Sequence, residues 1–207
     1  MTTYATLVSD IKSFMEDDGT EFSAAVDTFI SLTELKLSRE LVVPAFRIRA
    51  TSALSANDSF LTLPSDLVSL ENLHLNISNV RSILLLRSDE FMMEFWPNRT
   101  ATGTPKYYSY FDTSTIYVAP TPSVNTDVEI SYRKRLAGLS GSNTTNWLST
   151  NAYDCLLYGC LVEASSFNRN DAMMQKYMAL YQASVQAVNK EGNMRLSIDN
   201  FYQKSEG

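Results

Sequence analysis

NWLSTNAYDCLLYGCLVEASSFNRNDAMMQKYMALYQASVQAVNKEG, residues 146–192, is the stretch that decides the fold. Its first half, roughly residues 150–167, places apolar side chains at the three- and four-residue spacing of one helix face. Residues 171–191 repeat the pattern after a polar break, and Gly192 is expected to cap the second helix. Two amphipathic helices with a short connection predict an antiparallel helical hairpin that needs a partner face.

Two more amphipathic helices are predicted within residues 1–45. Apolar side chains recur at helical spacing from Tyr4 to Met15 and again from Phe22 to Leu41, and Pro44 ends the second series. These helices supply the partner face for the helical hairpin of residues 146–192. We therefore expect both ends of the chain to form one helical bundle and one domain.

Between the helical regions, in residues 46–140, the apolar period changes to two, which is the period of a half-buried strand. A short helix is expected where Ser88 can cap it. The fold class is therefore α+β, with N- and C-terminal helices in a bundle and a central antiparallel β-rich section. The predicted strands are residues 46–51, 60–63, 70–75, 80–86, 107–111, 115–118 and 127–133.

The charge balance restricts the possible partners. The chain carries 17 basic and 23 acidic side chains, a formal net charge of −6. Tight non-specific binding to duplex DNA depends on Lys and Arg that neutralise phosphates, so it is not expected. The sequence contains no run of about 18 apolar residues and no secretory leader. We therefore expect neither a membrane span nor export.

One basic concentration is a candidate contact patch for phosphate or for an acidic partner. It comprises Arg47, Arg49, Arg133, Lys134 and Arg135. The alternative is an ordinary solvated strand end.

Residues 193–207 form a predicted docking tail. Free termini rarely pack unless something ties them down, yet this one carries Leu196, Ile198, Phe201 and Tyr202. We expect these side chains to contact another protein or a neighbouring subunit, with Leu196 and Ile198 adding a strand to its sheet. Packing back onto the same domain is the equal alternative.

The sequence contains no catalytic constellation. His74 lies in an apolar, strand-like stretch without a nucleophile turn beside it, so a hydrolase with His74 as base is the weakest hypothesis. Cys155 and Cys160 fit no zinc motif and are expected to be buried free thiols. Phosphate-binding glycine motifs are missing as well. We expect no enzymatic activity, no metal and no cofactor.

The order and spacing of several short segments resemble the tailed-phage adaptor proteins, also called head-to-tail connectors. The resemblance covers most of the chain and includes the helix pairs that flank the β-rich section. The matching segments are Glu34-Leu35-Lys36-Leu37-Ser38-Arg39-Glu40-Leu41, Leu63-Pro64-Ser65-Asp66-Leu67, Gly103-x-Pro105 before Tyr107 and Tyr108, Ile116 through Pro120 and Pro122, Ile130-x-Tyr132-Arg133, Asn146-Trp147-Leu148, and Tyr158-Gly159 followed by Tyr177 and Tyr181.

The resemblance implies a structural protein of the virion, made in the host cytoplasm and located at the head–tail junction. Such adaptors form rings of about twelve subunits below the portal protein, through contacts between opposite sides of neighbouring subunits. The ring extends the DNA channel, lets DNA pass without sequence-specific binding, and docks the nozzle or tube protein of the tail. In relatives the C-terminal tail reaches the portal, which implies that role for residues 193–207.

The aromatic run Tyr107-Tyr108-Ser109-Tyr110-Phe111 supports an alternative function. Exposed rings on a hairpin stack on sugars or bases, although strand alternation places half of them in the core. The alternative is therefore a carbohydrate- or host-binding module of a phage tail.

Overall fold

The computed structural model describes residues 2–203, and side chains through Met194. The chain divides into two compact units. The helical unit comprises Met1–Phe46 with Leu136–Gly207, and the β unit comprises Arg47–Arg135. Helices at both ends of the chain and a mainly antiparallel middle confirm the predicted α+β class.

Six α-helices and ten strands make up the described chain. Within residues 2–203, no helix is both long and apolar enough to cross a membrane. In chain order the elements are α1 (Tyr4–Met15), α2 (Thr20–Glu40), a 3-10 turn (Pro44–Phe46), β1 (Arg47–Leu54), β2 (Phe60–Thr62), β3 (Leu67–Ile77), β4 (Val80–Ile83), β5 (Leu85–Leu86), α3 (Asp89–Phe95), β6 (Thr102–Gly103), β7 (Tyr107–Tyr110), β8 (Thr115–Ala119), β9 (Thr121–Pro122), β10 (Thr126–Lys134), α4 (Trp147–Asn151), α5 (Tyr153–Phe167) and α6 (Asp171–Gln203).

Helices from both ends of the chain share the core of the helical unit, as the sequence predicts. Leu7 and Ile11 of α1 are fully buried, and Val26 and Ile30 of α2 are nearly so. They pack in one apolar cluster with side chains of α5 and α6. The amphipathic stripes at the two ends of the chain therefore bury each other.

The first C-terminal helix begins earlier than predicted and is interrupted. Asn146 is its cap, because its side chain accepts the Ser149 N–H while the Ser149 hydroxyl accepts the Asn146 N–H. The chain leaves helical geometry at Ala152, with φ −140°, and α5 starts at the next residue. The single helix expected over residues 150–167 is thus a short helix followed by a longer one.

The predicted hairpin of α5 and α6 is present and packs closely. Cys155 lies against Ser184, and Gly159 lies against Tyr181, so the contacts run in opposite directions along the two helices. A Cβ at Gly159 would lie 2.4 Å from Thr33 Cγ2 on α2. Glycine is therefore required where α5 crosses α2.

Gly192 does not end α6, and the predicted cap there is wrong. The helix continues to Gln203, and no glycine among the described residues has positive φ. A Cβ at position 192 would lie 2.4 Å from the carbonyl oxygen of Val42. This glycine lets α6 approach the backbone after α2 and has no role as a helix stop.

The β unit contains two four-stranded sheets. In the first the strand order is β1-β10-β3-β4, all antiparallel, and in the second it is β2-β8-β7-β5, with β5 parallel to β7. Alternate side chains of both sheets meet in one apolar cluster, to which β10 contributes Val128, Ile130 and Tyr132. The period-two pattern predicted this central strand because Val128, Ile130 and Tyr132 all lie on the same, buried face of the strand.

The predicted strand over residues 80–86 is present but divided. Leu84 is buried and its N–H still donates to Leu73 on β3, whereas the Leu85 N–H donates to Lys106, the residue before β7. The chain thus leaves the first sheet and joins the second within two residues. Residues 80–86 consequently form an edge of both sheets, and we call this segment the 80–86 edge.

Candidate functional site

The predicted basic patch lies at one end of the first sheet. Arg47 on β1 pairs directly with Arg133 on β10. Lys134 ends β10, and the Arg135 N–H donates to the Asp66 carbonyl at 2.7 Å. The fold therefore brings basic residues from two distant parts of the sequence together.

Two carboxylates offset much of this positive charge. Arg47 forms an ion pair with Glu71. Glu129 lies 3.8 Å from Arg49 and 2.9 Å from Arg81, measured between the charged atoms. The surface is a mixed ion-pair network, which sequence reasoning missed because Glu71, Glu129 and Arg81 come from three different strands. Contact with a partner through this patch remains a prediction.

The residues of the predicted docking tail lie on α6. Leu196, Ile198, Phe201 and Tyr202 belong to its helical backbone. Addition of a strand to a neighbour's sheet by Leu196 and Ile198 would require this part of α6 to unwind, and it remains a prediction. The side chains of these four residues lie outside the described residues, and their contacts remain a prediction. A partner that binds this segment in the form described here receives a helix.

The aromatic run of β7 is divided between core and surface. Tyr108 is only 6% exposed, while Tyr110 and Phe111 are 46% and 63% exposed. The Phe111 ring contacts Phe60, with ring centroids 5.1 Å apart. Tyr110 and Phe111 are therefore the most exposed aromatic side chains of this run.

An aromatic cluster with one cation covers the start of β7. The Tyr107 ring packs edge-on against Phe95, with centroids 4.8 Å apart, and Phe95 stacks on Phe91. The Arg87 guanidinium lies 5.6 Å from the Phe91 centroid and 5.5 Å from that of Tyr107. Arg87 precedes α3 and gave no sequence signal, because its ring partners are separated along the chain.

An open groove runs beside this cluster. Within the described chain, the Ser109 hydroxyl has no hydrogen-bond partner although the residue is only 2% exposed. A buried hydroxyl without a partner costs about 1–3 kcal/mol, so a polar ligand group that reached it would relieve that cost. The groove is lined by Leu86, Arg87, Ser88, Asp89, Ser109 and Tyr110.

The 80–86 edge exposes large apolar side chains. Val80 is 66% exposed, and Ile83, Leu85 and Leu86 are also exposed, whereas Leu84 turns into the core. Apolar residues on an open sheet edge offer unpaired backbone groups and an apolar contact to any passing strand. The sequence predicted the strand but not that it would form an edge.

His74 lies in the β unit, and the two cysteines lie in the helical unit. His74 is half-buried on β3, between Glu129 on β10 and Ile83 on β4. Both thiols are buried, and burial raises the pKa of Cys155 to about 11 and that of Cys160 to about 12. Within residues 2–203, no cluster of three His, Cys, Asp or Glu side chains could hold a metal.

One half-buried carboxylate in the helical unit has a structural role. Glu34 on α2 accepts the Leu139 N–H at 3.1 Å and the Asn146 side-chain amide at 2.6 Å. Burial raises the pKa of the Glu34 carboxyl, and these two hydrogen bonds act in the opposite direction. Glu34 thereby connects Asn146, the residue that caps α4, to helix α2.

A protein-family match covers almost the whole chain. The family model described as SU10 adaptor protein matches residues 2–199, which includes the whole β unit and almost all of the helical unit. No curated protein matches the chain. Since the match covers nearly the full length, this chain belongs to the SU10 adaptor protein family and is a bacteriophage adaptor, a structural component of the virion.

Proposed function

We propose that this adaptor forms a ring below the portal protein, extends the DNA channel and docks the nozzle or tube protein of the tail. The observation that carries the proposal is the family match from residue 2 to residue 199, which spans both units. A ring of about twelve copies needs opposite sides of each subunit to fit each other. The chain acts at the head–tail junction of the virion, after synthesis in the host cytoplasm.

The distribution of charge supports passage of DNA without adhesion. The β unit contains nine basic and nine acidic residues, so the remaining eight basic and fourteen acidic residues place the whole net charge of −6 on the helical unit. An acidic surface repels the phosphate backbone at ordinary salt concentrations. This role uses no catalysis and no sequence-specific contact with DNA.

The proposal is tested by mixing the purified chain with portal rings of the same phage and imaging the product by electron microscopy. We expect an added layer on one end of the portal, with a continuous axial channel. Portal rings that remain unchanged at saturating adaptor concentration would contradict the proposal.

A second candidate function, glycan or host binding, is supported by the groove beside β7. Tyr110 offers an exposed ring, and Ser109 offers a buried hydroxyl without a partner in the described chain. If the groove binds a sugar, Tyr110→Ala abolishes glycan binding without changing stability, whereas Tyr108→Ala destabilises the β unit because Tyr108 lies in its core. A glycan array that gives no binding by the full chain rejects this second function.

A further inference from the structure

We propose that neighbouring adaptors join edge to edge, with the 80–86 edge of one copy against β1 of the next. This inference rests on the ring proposed above and names the surface that closes it. The exposed apolar residues of the 80–86 edge are expected to be buried in the assembled ring. We assign this contact to β1, the opposite edge of the first sheet, in a neighbouring copy.

Strand direction is the first reason that the cover is a second copy. Four antiparallel strands in the order β1-β10-β3-β4 leave two edges that run in opposite directions. A copy placed beside the first in the same orientation therefore presents β1 antiparallel to β4, and the alternation of the sheet continues. Such a contact joins unlike surfaces, which is the kind that closes a ring.

Register is the second reason. Ser82 on β4 pairs with Leu75 on β3, Leu75 pairs with Val128 on β10, and Val128 pairs with Ser52 on β1. Ser52 and Ser82 thus lie at one level on the two edges. A small polar residue at that level on both strands allows close approach without burying a charge.

Charge is the third reason. Arg47 and Arg49 on β1 lie beside Glu71 and Glu129 of the same chain. Their positive charges are therefore already offset, and β1 can lie against the apolar 80–86 edge without bringing unpaired arginines into the contact.

The overall charge of the units agrees with this choice of interface. Copies that associate through the β unit, with nine basic and nine acidic residues, meet no net repulsion. The helical unit carries the full charge of −6, so a contact made through it alone would oppose association.

Disulfide cross-linking of the assembled full chain tests the edge contact. In the double variant Ser52→Cys with Ser82→Cys, oxidation should give a ladder of covalent oligomers in steps of 23.2 kDa. A cross-link between the cysteines at positions 52 and 82 indicates the register in which these two residues face each other. The double variant Ala50→Cys with Ser82→Cys detects a register that is shifted by two residues. The natural thiols Cys155 and Cys160 are buried and should contribute no cross-link.

The single variants separate this arrangement from a two-fold dimer. Ser82→Cys alone should give no covalent product in the edge-to-edge ring. A covalent dimer from Ser82→Cys alone would mean that β4 meets β4, which overturns the inference.

A matched pair of valines tests the same surface without cysteines. Val80→Lys on the edge should weaken self-association at least tenfold, whereas Val124→Lys should not, although the two side chains are 66% and 64% exposed. Rings that form with Val80→Lys at the same concentration as with the natural chain, or rings that fail to cross-link in either register, overturn the edge contact and leave the ring proposal intact. A chain that assembles neither alone nor on portal rings overturns both proposals.

Discussion

Gly192 on α6 lies so close to Val42 that a Cβ at position 192 would stand 2.4 Å from the Val42 carbonyl oxygen. Nearby, the Asn189 side chain accepts the Val42 N–H at 2.7 Å and donates to the Glu40 carbonyl at 3.0 Å. α6 is thus fixed to the segment that follows α2 at Gly192, which is the last buried residue among the side chains described through Met194.

Gly192→Ala should therefore destabilise the protein, against the preference of helices for alanine. Alanine gains up to about 1 kcal/mol over glycine in a helix, but forcing a methyl group into a packed contact costs about 1–3 kcal/mol. We expect a lower free energy of unfolding in urea. Gly141→Ala is the control, because nothing lies within 4 Å of a Cβ there. Equal stability of the two variants would contradict the close approach.

Residues 193–207 should be dispensable for folding but required for docking. A chain that ends at Gly192 keeps every buried side chain described for α6. We expect an unchanged melting temperature and loss of binding to portal rings, measured by co-sedimentation. Binding of the shortened chain with unchanged affinity would remove the docking role from Leu196, Ile198, Phe201 and Tyr202.

Stability should depend on pH through Glu34. Burial raises the folded-state pKa of this carboxyl above its ordinary value of 4.5. Its contribution to stability is complete below pH 4.5 and is lost as the pH rises through the raised folded-state pKa. In urea titrations across this range, the stability of the natural chain relative to Glu34→Gln should fall as pH increases. A difference in the free energy of unfolding between the two chains that stays constant with pH would contradict the raised pKa of Glu34.

The two thiols should be unreactive in the folded protein. Burial keeps Cys155 and Cys160 protonated at neutral pH, and only the thiolate reacts with a disulfide reagent. We expect slow labelling by a thiol reagent in native buffer and rapid labelling of both residues in denaturant. Ser82→Cys supplies an exposed thiol as the positive control, and rapid native labelling of the natural chain would show that the helical unit opens.

Helical and strand periodicity was sufficient to predict most of the architecture. The stripe of α1 predicted the burial of Leu7, Ile11 and Met15, and the alternation around Val128 predicted the central strand. Both patterns are local, because each depends only on which side of one element faces the core.

Features that depend on contacts between distant residues were not predictable. Gly192 resembled a helix cap because its contact with Val42 lies 150 positions away along the sequence. In the same way, the pairing of Arg49 and Arg81 with Glu129 and the position of β4 at an edge follow from sheet order. Sequence periodicity gives the face of a strand but not its neighbours.

The most direct test of the ring proposal is the solution mass of the full chain, measured by light scattering alone and after mixing with portal rings of the same phage. We predict a fixed stoichiometry of about twelve adaptors per portal ring, whether the ring forms in advance or only on the portal. A chain that stays a 23.2 kDa monomer at all concentrations and adds no mass to the portal would contradict the account.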